Sequence, residues 1–206
     1  MINNLPSFSF AFFDASQNCI EEFLNAFSKK KKHKTIIIKE QKNVDVVLEE
    51  FRCLEESKAK LIELRKYPSI AFFYNPLSDV QKTIMISNLS DGWYTLCNVI
   101  SIELNCEYYL FQSSDDNVYE LSSSFTYVRN GSLERCVYSM KEGKWVFYSE
   151  GNLLPFEESQ YYEQKMIKKR LTKQILIEYC KALGLFIEEE EFWKSTEESL
   201  YFKMGV

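Results

Sequence analysis

Apolar positions along this chain repeat with two different periods, and the switching between them predicts a mixed fold. Phe8–Phe13 (FSFAFF) is a continuous apolar run stopped by Asp14, which predicts a strand. Ser16 then caps a helix over 17–28, where Ile20, Phe23, Leu24 and Phe27 recur at i, i+3, i+4 and i+7. Thr35–Lys39 is short and β-branched, a second strand. Asn43 or Asp45 opens a long charged helix to Leu64, with Val47, Leu48, Phe51, Leu54 and Leu61 on its apolar side. Strands follow at Ser69–Tyr74 and Thr83–Ser87. Ser90 or Asp91 then caps a helix whose stripe is Trp93, Leu96, Cys97, Ile100 and Leu104.

A strand at Glu107–Phe111 and a polar turn at Ser113–Asn117 lead into a meander over Ser122–Glu150. Asn130-Gly131 is the strongest turn signal in the chain, because a type I′ turn needs positive φ at both central residues. Glu142-Gly143 marks the next reversal, and Gly151 and Pro155 end the sheet. The rest reads as helical from Glu157 to Leu183, with Thr172 as a cap between segments and Gly184 as the stop. Glu188–Glu191, Phe192-Trp193 and a short tail close the chain. The fold class is α+β: a largely antiparallel sheet, including the meander, with helices packed on it. The 206 residues read as one domain; subdomains at 1–89 and 90–206 are the alternative.

Composition narrows the chemistry. The aromatic fraction of 16% supplies a packed core and rules out disorder for most of the length. The six glycines never take the spacing of G-x-G-x-x-G or G-x-x-x-x-G-K, so the usual phosphate cradles are absent. One histidine, His33, leaves no route to H-E-x-x-H or a three-histidine zinc site. The six cysteines form no C-x-x-C and read as reduced core thiols of a cytoplasmic protein. No secretory signal or membrane span is legible, and no cofactor or metal is implied.

Asp14 with Glu40-Gln41-Lys42 has the order of a D…E-x-K metal-dependent nuclease, in which two carboxylates hold the ion and a lysine steadies water or phosphate. E-x-K occurs four times in this chain, however, so the pattern carries little. The lysine run at 29–34 reads as a solvated loop after a helix. The chain as a whole is acidic, at −5, which argues against nucleic acid as partner.

Charge is unevenly spread. Residues 1–100 hold 13 basic and 12 acidic side chains, whereas residues 101–206 hold 12 and 18. The acidic excess centres on Glu188, Glu189, Glu190 and Glu191, beside Phe186 and Trp193. These six residues are the expected docking surface for a basic protein, with Trp193 as anchor and the glutamates steering the encounter.

From the meander onward, Arg135-Cys136-Val137, Trp145-Val146-Phe147, Glu150-Gly151, Phe156-Glu157, Tyr162, Arg170-Leu171 and Leu183-Gly184 make a stretch similar in style to intracellular immunity proteins of bacterial polymorphic-toxin systems. That resemblance implies a non-enzymatic protein that binds and blocks a cognate toxin. A general interaction module or homo-oligomer is the alternative expectation.

Overall fold

A computed structural model describes residues 8–30, 35–60, 68–77, 79, 81–114, 122–195 and 198–205. Among these residues nine strands build one sheet: β1 (Phe8–Phe13), β2 (Thr35–Glu40), β3 (Ser69–Tyr74), β4 (Thr83–Ser87), β5 (Glu107–Ser113), β6 (Ser122–Arg129), β7 (Ser132–Glu142), β8 (Lys144–Gly151) and β9 (Ser199–Met204). Their order is β2-β9-β3-β4-β1-β5-β6-β7-β8, and every neighbouring pair is antiparallel. The helices are α1 (Gln17–Lys30), α2 (Val44–Lys60), α3 (Tyr94–Leu104), the single turn α4 (Ser159–Tyr162) and α5 (Lys173–Ala182). The α+β class read from the sequence is the one observed.

Alternation along the central strands sorts the apolar residues onto two faces. Phe10, Phe12, Phe72, Ile84, Ile86 and Tyr201 point to the face covered by α2 and α5. Ala11, Phe13, Ala71, Phe73, Met85 and Phe202 point to the face covered by α1 and α3. A sheet buried on both sides needs apolar residues at successive positions, which is why FSFAFF and SIAFFY are runs rather than alternations.

Two short crossovers shape the order, beside the long one in which α1 carries β1 to β2, four strand positions away. β2 and β3 run the same way with β9 between them, and α2 connects them; β4 and β5 do likewise around β1, connected by α3. Both crossovers step in one direction along the sheet, but β2 and β4 run oppositely. Crossovers of one hand must then lie on opposite faces, as α2 and α3 do.

Local signals read from the sequence are realised in detail. Ser16 Oγ accepts the Cys19 amide at 3.4 Å, Asn43 Oδ1 accepts that of Asp45 at 3.1 Å, and Thr172 Oγ1 accepts that of Ile175 at 3.3 Å. Asn130 (φ 51) and Gly131 (φ 76) make the two-residue turn between Arg129 and Ser132. The basic loop at 31–34 with His33, Leu61, the side chain of Leu54 and most of the 113–117 turn lie outside what the structure describes.

Three expectations are corrected. The tail after Trp193 contains β9, a six-residue strand buried between β2 and β3, because Leu200 and Phe202 complete one core face and Tyr201 the other. The helix after Asp91 starts at Tyr94, and neither Ser90 nor Asp91 caps it. Trp93 takes the cap position in the left-handed region (φ 57, ψ 49), with no side-chain cap bond. Asp91 Oδ1 instead accepts the Trp93 amide at 3.0 Å, and the indole stacks on Phe202 at 5.7 Å. Residues 157–172 are not a continuous helix. Only α4 and a 3-10 turn at Ile167–Lys169 form there, and Glu157, just before α4, turns inward to a buried partner.

Candidate protein-binding surface

Among the described residues β2 ends the sheet, so one of its backbone edges has no neighbouring strand there. Its pairing register places Ile36, Ile38 and Glu40 on the α2 side, opposite Lys203, Tyr201 and Ser199. Ile36 and Ile38 remain exposed there. The helix supplies the facing wall: Val44, Val47 and Phe51 are buried, which turns Asp45, Val46, Glu49 and Glu50 outward. Between wall and strand lies an open groove of about 860 Å³. Its floor is apolar, with Ile38, Val46, Ile70 and the Tyr201 ring. Its rim carries four carboxylates, Glu40, Asp45, Glu49 and Glu50, against two ammonium groups, Lys42 and Lys203.

Tyr201 organises the rim. Its hydroxyl donates to Glu50 Oε2 at 3.0 Å, and Lys42 Nζ donates to Glu50 Oε1 at 2.6 Å. Lys42 and Lys203 both sit over the ring, at 5.0 and 4.7 Å from its centroid. Burial, together with the bond to Glu50, pushes the Tyr201 phenol up. Burial alone would raise Glu50, but the bonds from Lys42 and Tyr201 outweigh it and hold the carboxyl below its ordinary value. Lys42 also reaches Glu40 at 3.6 Å, and Arg52 donates to both carboxylate oxygens of Glu49, at 3.0 Å from Nε and 2.5 Å from Nη2, so the four rim carboxylates face three cations and keep a small negative excess.

The six residues expected to dock a basic protein are divided by the fold. Phe186 is 39% exposed, and Glu188, Glu189, Glu190 and Glu191 are all on the surface. Trp193 is 3% exposed: its Nε1–H donates to the Ile187 carbonyl at 2.8 Å, and its ring meets Phe192 and Phe10 edge-on. It is a core residue, not a surface anchor. The 3-10 turn at Glu190–Trp193 explains the division, since its first two side chains face water and its last two face the sheet. Two of the glutamates have local cationic partners, Glu188 with Lys181 at 2.6 Å and Glu190 with Lys194 at 2.5 Å. Lys194 is raised chiefly by its bond to Glu190, with Glu191 and Asp45 adding to the field. Asp45 at the start of α2 thus lies near enough to the acidic turn to act on the same lysine.

Asp14 and Glu40, the carboxylates of the D…E-x-K pattern, follow β1 and end β2, which stand four strand positions apart. Strand spacing puts them roughly 19 Å from each other, too far to share one ion.

Sequence reasoning missed the groove. Asp45, Val46, Glu49 and Glu50 do show as one outward helix flank, but their meaning depends on Tyr201, which lies 151 residues from Glu50. It missed the pairing of Arg135 with Glu157 for the same reason, although both were singled out. No protein-family model matches this chain, and neither does any curated protein or solved structure. No helix among the described residues is long and apolar enough to cross a membrane.

Proposed function

We propose that this chain is a protein-binding module that takes an extended basic segment of a partner into the groove between β2 and α2. Following the resemblance of residues 90–193, the partner is a cognate toxin that binding neutralises. The observation that carries the reading is the coincidence of an open strand edge, an apolar floor and an acidic rim at one place. An incoming strand can pair with the β2 edge while alternate side chains pack on Ile36, Ile38 and Val46. Lysines or arginines flanking those side chains meet Glu40, Asp45 and Glu49, and Glu188–Glu191 widen the field that draws the partner in. Lys42, Lys203 and Arg52 offset part of this charge, and the four carboxylates against three cations leave the rim with a small negative excess. The compartment in this reading is the cytoplasm, where free thiols such as Cys97, Cys106 and Cys180 stay reduced.

Co-expression with the product of the neighbouring gene tests the proposal. The wild type is expected to co-purify as a stable complex with that protein. The Asp45→Lys, Glu49→Lys double variant is expected to lose it while staying folded, with a melting temperature lowered only by the loss of the exposed Glu49–Arg52 pair and of the acidic first turn of α2.

A further inference from the structure

The opposite end of the sheet carries a second open edge with a different character. Among the described residues β8 pairs with β7 on one side only and ends the strand order. No proline or bulge interrupts Lys144–Gly151. Its even-numbered residues, Lys144, Val146, Tyr148 and Glu150, are exposed on the face away from α5, whereas Trp145 and Phe147 are half-buried on the other. Tyr148 stacks on Tyr138 of β7 at 5.1 Å, so the exposed ring is held in place by its neighbour.

We propose that β8 is the interface of a symmetric dimer, joining two copies of this sheet edge to edge about a twofold axis at Phe147. The argument is one of self-complementarity. An antiparallel copy of β8 centred on Phe147 sets Lys144 opposite Glu150 twice, Val146 opposite Tyr148 twice and Trp145 opposite Ser149 twice. Unlike charges meet, and apolar residues meet apolar or aromatic ones on the same face. Shifting the register by two residues either way breaks the Lys144–Glu150 match, since Lys144 then faces Tyr148 or Asn152. Shifting it by one is incompatible with the axis, because paired residues in an antiparallel sheet share a face. One register is therefore favoured over its neighbours by the strand's own charges. The surface is separate from the β2 groove, at the far end of the sheet, so a dimer leaves both grooves open.

Sedimentation equilibrium of the full chain at low salt tests this. The expected result is a mass of twice 24.4 kDa. Lys144→Glu and Glu150→Lys each place like charges opposite one another twice, and each is expected to weaken the dimer about tenfold. The two substitutions together restore the match with reversed sign, and the double variant is expected to return to within about threefold of wild type. A wild type that stays monomeric at ~100 µM overturns the proposal. So does a dimer that neither single substitution weakens, or single losses that the double variant fails to restore.

Discussion

The Arg135 guanidinium and the Glu157 carboxylate form a two-pronged ion pair, with side chains 1% and 0% exposed. Nε and Nη2 of Arg135 donate to Glu157 at 2.8 and 2.7 Å. The remaining Nη1 donates to Ser149 Oγ and to the carbonyls of Glu150 and Gly151. Glu157 also accepts from the Leu154 amide at 2.8 Å and from the Tyr162 hydroxyl, which in turn accepts from Tyr179 at 3.0 Å. One charge pair thus ties β7, β8, the loop at 152–158 and α5 together.

Removing one partner from this pair leaves the other charged and buried. Glu157→Ala is expected to cost about 3–5 kcal/mol, and Arg135→Ala a similar amount. Exchanging both for apolar residues, Arg135→Met with Glu157→Leu, is expected to cost less than either single change. Denaturant titration of the three variants measures this, and a double variant as unstable as the sum of the singles contradicts it.

Gly131 is the second turn residue, and a Cβ there would also run into Ile102 of α3. Gly131→Val combines a β-branched residue at positive φ with that clash, and is expected to cost more than ~1 kcal/mol. Its melting temperature is the check. Gly143 also has positive φ, but no neighbour lies within 4 Å of its Cβ position. Gly143→Ala therefore carries only the backbone strain and is expected to be milder.

Trp193 and Phe202 both hold the sheet's cover in place, one on each face. Trp193→Ala and Phe202→Ala are each expected to destabilise the fold by about 3–5 kcal/mol. Trp193→Ala acts on partner binding only through that loss. A Trp193→Ala variant with unchanged melting temperature and faster partner release would return Trp193 to the interface.

Glu50 titrates lower in the folded chain than in the unfolded one, so it adds stability above its ordinary value of 4.5. That contribution is lost as pH falls from there through the depressed folded value. Glu50→Gln is expected to flatten the acid limb of the stability curve below about pH 4.5 and leave the neutral region with a constant offset. Equal slopes for the two proteins on the acid limb would contradict the assignment.

How legible this was follows from the range of each interaction. β1, the Ser16 cap and the Asn130-Gly131 turn are written in residues a few positions apart, and they appear in the structure where the pattern puts them. β9 is different. Ser199–Met204 carries a short apolar run, Leu200–Phe202, but its burial comes from Ile37, 165 positions away across the Ile37↔Phe202 pair, and from β3. Four consecutive glutamates made Phe192-Trp193 look exposed, whereas a 3-10 turn separates the two pairs of side chains within four residues. Trp93 gave no sign of its left-handed backbone, which stands beside its stacking on a strand from the other end of the chain. The groove belongs to the same category, because Glu40, Glu50 and Tyr201 meet only once β9 is in the sheet.

The acidic groove is the centre of this account, and charge reversal on its rim tests it most directly. With the neighbouring-gene product as probe, the association rate of wild type is expected to fall steeply with added salt. Asp45→Lys with Glu49→Lys is expected to weaken binding by more than about tenfold, chiefly by slowing association, in a chain that stays folded with a modestly lowered melting temperature. A complex whose affinity and salt dependence survive that reversal would contradict the assignment of the groove as the binding site.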